Sequence, residues 1–235
     1  MKQMGFLITI LFLVQFLHAE IIAGKLYEKD SDHKLLLYNF QSQITKTQNG
    51  LQISESQYTD PAGNIIIEEH SEREGIKLKK FQIDHKQTGR KGSIEVNGGK
   101  ISFSFEDNGK KKKIETEDLP NNFVVGPTLA AYVLTHWSEL LNGKTIDIRF
   151  GVWDRQETVG FSLFKIGQEK IGGKDVILLK FKPTSFVIAA LVDPVIFKFS
   201  SDGKELVSMI GRVPPKFKVS DKWKDLDAEV LYSYK

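Results

Sequence analysis

The chain has 235 residues, with 33 Lys and Arg against 30 Asp and Glu, a formal net charge of +3. So small a basic excess argues against a nucleic-acid binder, which needs a strongly basic face. Cysteine is absent, which excludes disulfides, thiol nucleophiles and thiolate metal ligands.

The first nineteen residues read as an export signal. Lys2 supplies the positive end, and Phe6 to Leu17 is an apolar run too short to span a bilayer as an ordinary helix. Leu17-His18-Ala19 ends on a small residue, which places the expected cut before Glu20. The cut removes Lys2 and no acid, so the net charge falls from +3 to about +2. No Cys stands at the new N-terminus to carry a lipid anchor, and no later apolar stretch reaches the ~18 residues of a membrane-spanning helix. The expectation is an exported bacterial protein, periplasmic or secreted, with residues 20–235 forming a single β-rich domain.

Most of residues 20–235 alternate with period two. Ile101, Phe103 and Phe105 alternate with Ser and Glu, and Ile146, Ile148, Phe150 and Val152 with Asp147, Arg149 and Gly151. Val195, Phe197 and Phe199 follow the same rule, as do Ala228, Val230, Tyr232 and Tyr234. Such patterns put one face on a core and the other in water, the habit of antiparallel sheet. The phase slips twice, between Leu78 and Phe81 and between Leu163 and Ile166, and both slips read as β-bulges. Turn signals at 60–64, 97–99, 107–109, 172–174 and 202–203 separate about ten to twelve expected strands.

Pro127 to Leu141 breaks the β habit. Its apolar residues Leu129, Tyr132, Val133, Trp137, Leu140 and Leu141 recur at helical spacing, with Pro127 at the start and Gly143 at the stop. A second apolar run, Phe186 to Val192, ends at Asp193-Pro194; its Ala189-Ala190 centre lacks β-branching, which favours a short helix.

From Leu141 onward the order of features becomes specific. Asn142-Gly143-Lys144 leads into the strand ending at Val152, and Trp153-Asp154-Arg155 makes a turn. Gly167-Gln168-Glu169, Ile171-Gly172-Gly173-Lys174 and Lys180-Phe181-Lys182-Pro183 follow. Ser200-Ser201-Asp202-Gly203 and Arg212-Val213-Pro214 come next, and the chain closes on Asp227-Ala228-Glu229-Val230-Leu231-Tyr232. This layout resembles a family of secreted bacterial domains of unknown function. Two features depart from it: Ser201 stands where the family has an Asp, and the Pro183–Pro194 insert is unusually hydrophobic. The resemblance implies a strongly curved antiparallel sheet, a half-barrel, with the helix packed in its concavity. That shape is similar to the periplasmic lipoprotein-carrier proteins, which hold acyl chains there. The family has no assigned catalytic residues.

The leading expectation is therefore a non-enzymatic envelope protein that binds or carries a hydrophobic ligand, such as a lipid or acyl chain. Leu129, Tyr132, Val133, His136 and Trp137 would line the site, with Phe186, Ile188 and Leu191 as its lid, because ligand pockets are mostly apolar with few polar groups. Core filling is the commoner use of such a stripe and defines the second expectation, a structural or interaction protein whose concavity its own helix fills. A third is a hydrolase of envelope polymers, whose paired carboxylates would meet in space and not in sequence.

No catalytic motif supports the third. Gly-x-Ser-x-Gly is absent, and Gly89-Arg90-Lys91-Gly92-Ser93 lacks the spacing of a phosphate-cradling loop. Glu68, Glu69 and His70 are adjacent on a strand and point to alternate faces, so they do not converge on one ion. Lys110 to Lys113 reads as a solvated hairpin tip or a guarded edge, its field offset by Glu115, Glu117 and Asp118. No cofactor or metal is expected.

Overall fold

The structure, a computed structural model, describes residues 19–190 and 192–235. The expected signal peptide, apart from Ala19, and Leu191 lie outside the described residues. The first half carries β1 (Ala19–Glu28), β2 (Leu36–Lys46), β3 (Leu51–Thr59), β4 (Ile65–Glu74), β5 (Lys77–His85), β6 (Arg90–Asn97), β7 (Lys100–Asp107) and β8 (Lys113–Asp118). The second half begins with β9 (Phe123–Val124), α1 (Gly126–Thr135) and α2 (Trp137–Leu141). It continues through β10 (Ile146–Val152), β11 (Glu157–Ile171), β12 (Lys174–Pro183), α3 (Phe186–Ala189), β13 (Val195–Ser200), β14 (Leu206–Val219) and β15 (Lys222–Tyr234).

All fifteen strands join one sheet, in the order β8-β7-β6-β5-β4-β3-β2-β1-β15-β14-β13-β12-β11-β10-β9. The β9–β10 pair is parallel and the rest are antiparallel. The count exceeds the ten to twelve expected because some strands carry little apolar alternation. β8 reads Lys-Ile-Glu-Thr-Glu-Asp, and β9 has two residues.

Both expected bulges are present. Glu72 pairs with Lys80 and Arg73 with Leu78, which leaves Lys79 as the extra residue of β5. Leu78 and Phe81, three apart, thereby both reach the core. Lys165 pairs with Leu179 and Gly167 with Leu178, so Ile166 is the extra residue of β11 and is exposed. The turns also fall where expected. Asn97 pairs with Lys100 and Ile171 with Lys174, and the two glycines in each turn take the positive φ that a tight hairpin needs.

The single expected helix is divided. His136 leaves helical geometry (φ −101°, ψ 15°), its N–H shared between the carbonyls of Tyr132 and Val133, and separates α1 from α2. Tyr132, Val133 and Leu140 pack with Ile146, Ile148, Leu163, Leu179, Phe197 and Phe199 on one face of β10–β13. A second cluster joins Phe123 and Val125 to Ile67, Phe81, Ile83, Ile94, Ile101 and Phe103 of β4–β7. A third joins Leu26 to Val213, Leu226, Ala228 and Val230.

These clusters lie on one face of the sheet, its inner face, with Met209 and Tyr58 shared between neighbouring clusters. Contacts between distant strands show that the sheet does not lie flat. Gln87, just after β5, bonds both the N–H and the carbonyl of Lys216 on β14 (2.8 and 2.9 Å), and His85 Nε2 lies 3.1 Å from the carbonyl of Pro214. Six strand steps separate β5 from β14, which in a flat sheet would be about 29 Å.

The sheet is not closed by a backbone ladder. Side chains join its two ends instead. The Thr158 N–H and hydroxyl on β11 donate to the Glu117 carboxylate on β8 (3.0 and 2.7 Å), and Arg149 donates to the Thr158 hydroxyl and carbonyl (each 2.7 Å). Gln156 Nε2 donates to the carbonyl of Lys113 (3.2 Å).

Candidate functional site

The helical residues expected to line a site are brought together. Tyr132 and Val133 are buried, and Leu129 and Trp137 are partly buried against the same cluster. The Trp137 ring lies 5.9 Å from that of Phe199. Trp137 also covers Gly203, where an added Cβ would stand 2.5 Å from the indole. His136 is half-buried, with Nδ1 2.9 Å from Glu139 Oε1 and its ring 4.6 Å from that of Tyr132. The carboxyl of Glu139 is held below its ordinary value by hydrogen bonds from Lys144 first and His136 second. The i,i+3 spacing brings the Glu139 carboxylate to this histidine.

The second apolar run forms α3, started by the Ser185 hydroxyl accepting from the N–H of Ile188 (3.4 Å). Phe186 is 89% exposed and Val187 70%, and Ile188 is half-buried. None of the three belongs to the cluster around α1.

A different set of residues stands together on the inner face of β15 and β1–β5. β4 turns Ile67, Glu69 and Ser71 inward by strand alternation. Glu69 pairs with Ser56 of β3 and Ile83 of β5; Ser71 pairs with Ser54 and Phe81; Ile67 pairs with Tyr58. Beyond β3, Ser42 faces Ser56, their hydroxyls 2.9 Å apart, and Phe40 faces Tyr58. Gly24 of β1 sits between Phe40 and Tyr232, and an added Cβ would lie 3.3 Å from the Phe40 ring. The absent side chain lets Phe40 reach both tyrosines, with centroids 4.9 Å from Tyr58 and 6.2 Å from Tyr232.

Glu69 has no hydrogen-bond or ion-pair partner among the described residues. Burial pushes its carboxyl up to about 7. Burial first, and the Glu69 charge with it, also raises the Tyr58 and Tyr232 phenols. Neither phenol has a hydrogen-bond partner among the described residues. All three side chains nevertheless keep accessible surface. Glu69, Tyr58 and Tyr232 are thus closely surrounded by protein while water still reaches them. Beside them the Ser71 hydroxyl is fully buried and unpaired.

The opposite face of β4 behaves differently. His70 lies 2.6 Å from Glu55 and 3.1 Å from Glu72. Partial burial works to lower its pKa, but the hydrogen bonds to Glu55 and Glu72 outweigh that and raise it. Glu68 pairs with Lys86 at 2.6 Å. The alternation read from Glu68-Glu69-His70 thus places Glu69 away from both neighbours. Two hollows of about 410 and 430 Å³ lie along these strands, the first lined by Gln41, Gln57, Glu68 and His70 together with Ser56 and Glu69, the second by Asn39, Thr59 and Leu231 together with Gly24, Phe40 and Tyr232. No group of three metal-ligating side chains comes together among the described residues.

Sequence reading missed the inner polar rows. Their signal is an alternation that carries Ser42, Ser54, Ser56, Glu69 and Ser71 where a self-packed sheet would carry apolar residues.

No protein-family model matches the chain. No curated protein matches it. Among solved structures it is similar to a beta-barrel-like protein of the domain of unknown function DUF1849 from Brucella abortus. That match has a TM-score of 0.48 and 9% identity, over 92% of this chain and 94% of that one. It also aligns with a DUF1329 family protein from Desulfovibrio piger (TM-score 0.26, 9% identity, 93% of this chain and 84% of that one). A LolA superfamily protein from Nitrosomonas europaea aligns with TM-score 0.23 and 10% identity, over 92% of this chain and 84% of that one. The structural neighbours are thus bacterial domains of unknown function and LolA-superfamily proteins.

Proposed function

We propose that this is a non-enzymatic binding or carrier protein of the bacterial envelope, exported by its N-terminal segment. In this reading it holds a hydrophobic ligand on the inner face of a half-barrel sheet with α1 in the concavity. One observation carries the reading. The inner face of β15 and β1–β4 bears Phe40, Tyr58 and Tyr232 beside an unpartnered Glu69, all keeping accessible surface. An apolar wall with a few unsatisfied polar groups is the composition of a ligand site, not of a finished core.

Leu129, Tyr132, Val133, His136 and Trp137 serve in this reading as the wall that α1, α2 and the break between them supply, reached from β4–β5 through Ile76, which packs against the same cluster. Phe186, Ile188 and Leu191 keep the role of lid. The alternative, a structural protein with a self-filled concavity, is favoured by the dense packing of α1 on β10–β13. The two readings make opposite predictions for the first half of the sheet.

The test is native mass spectrometry of the full chain purified from a bacterial envelope, with uptake of a pyrene-labelled fatty alcohol measured in parallel. A retained lipid mass, or saturable uptake at one probe per chain that Phe40→Ala weakens, is the expected result. A clean ligand-free mass together with no uptake sinks the carrier reading and leaves the structural one.

A further inference from the structure

Glu69 poses a specific chemical question, because an ionised carboxylate surrounded by protein needs a partner. The described residues offer none. Ser42 and Ser56 bond each other, and Arg73, further along β4, donates Nη1 to the carbonyl of Gly75 (2.6 Å). The charged group that acts on Arg73 is Glu20 of β1, not Glu69. The flanking inner rows supply aromatic faces instead: Tyr58 is a diagonal neighbour on β3, and Phe40 and Tyr232 continue the row across β2, β1 and β15. A lone carboxylate beside a short wall of aromatic rings matches the two needs of an organic cation. The carboxylate supplies its counter-charge and the ring faces supply cation–π attraction. A metal ion would ask for several hard or nitrogen ligands.

We propose that the inner-face site selects ligands bearing an ammonium group, with the cationic head against Glu69 between the tyrosines and the apolar tail along Phe40 and the neighbouring core. This rests on the carrier reading above and adds the chemistry of the head group. Tyr58, Tyr232 and Tyr234 remain neutral near pH 7 because burial raises each of them, and Arg73 and Glu20 offset one another. Burial lowers His85, which follows Ile83 on the inner face of β5, below its ordinary value, whereas burial pushes the Glu69 carboxyl up to about 7, so Glu69 changes charge near neutrality. A cationic head favours its ionised form, so ammonium ligands should bind more tightly as pH rises from 6 to 8, while neutral ligands should not respond.

The experiment compares three probes of equal chain length, each below its micelle concentration: dodecyltrimethylammonium, dodecanol and dodecanoate. Binding to the full chain is measured at pH 8 by calorimetry. The cation should bind about ten-fold more tightly than dodecanol, with dodecanoate weakest. Glu69→Gln, which keeps the side-chain shape, should abolish the preference for the cation and bring it down to the level of dodecanol. Equal affinity for the three probes in the wild-type chain overturns the inference while leaving the carrier reading intact. So does a folded Glu69→Gln chain that loses dodecanol together with the cation, because the carboxyl would then support the wall and not read the charge. No binding of any probe overturns both readings.

Discussion

The two halves of the sheet solve the same problem in opposite ways. β10–β13 meet α1 and α2 on their inner face through a cluster of aliphatic and aromatic residues. β1–β4 have no helix of their own, and their inner face carries Ser42, Ser54, Ser56, Glu69 and Ser71 among the rings. The second half packs its own helices, and in the function proposed above the first half holds a ligand. Stability and binding should therefore separate along the sheet, with large-to-small changes costing most in one half and polar-to-neutral changes helping in the other.

The largest effect is expected at Leu163, which is fully buried beneath α1 and α2. Leu163→Ala should cost about 3 kcal/mol of unfolding free energy by loss of transfer energy and a residual cavity, read by urea denaturation. A cost below about 1 kcal/mol would mean that this half is loosely packed and that the contrast is wrong.

Glu69→Gln should act in the opposite sense. The folded-state pKa is raised to about 7 from an ordinary value of 4.5. The folded state therefore holds its proton more tightly than the unfolded chain, and stability falls as pH rises from 4.5 through 7. The substitution removes that loss. It should stabilise the chain by about 2–3 kcal/mol at pH 8 and by almost nothing at pH 4. Urea midpoints at the two pH values test this, and a uniform change at both would show that Glu69 is paired in solution.

Glu117→Ala removes both bonds to Thr158 and should cost about 1–2 kcal/mol. Exchange of the Thr158 amide should accelerate with it, and an unchanged exchange rate would place no weight on the join. Smallest of all, Ser71→Ala deletes a buried hydroxyl with no partner and should stabilise by about 1 kcal/mol. Destabilisation there would point to a bound water or ligand satisfying the hydroxyl.

How much was legible in the sequence follows the same division. In the second half, Ile146, Ile148 and Phe150 alternate cleanly, Pro127 and Gly143 bracket the helical segment, and the slip at Ile166 marks a bulge found at that residue. Local pattern sufficed because each element buries an apolar face of its own. The break at His136 escaped because helical spacing continues through it and only the backbone angles reveal it. In the first half, Ser54, Ser56 and Tyr58 look like an ordinary exposed strand. Their inward direction depends on pairing with β2 and β4, and the isolation of Glu69 depends on what the neighbouring strands fail to supply. Neither is a local property.

The clasp between Glu117 and Thr158 has a consequence for life in a crowded compartment. An open sheet of fifteen strands has two rims whose unpaired amides and carbonyls could template growth onto another molecule. Here the two ends of the ribbon are drawn together: Glu117 of the β8 rim holds the Thr158 amide of β11, two strands in from the β9 rim, and Gln156 occupies the Lys113 carbonyl of β8. β9, two residues long, offers little to add to. Each molecule blunts its own capacity to polymerise, by means of side chains that a single substitution would remove.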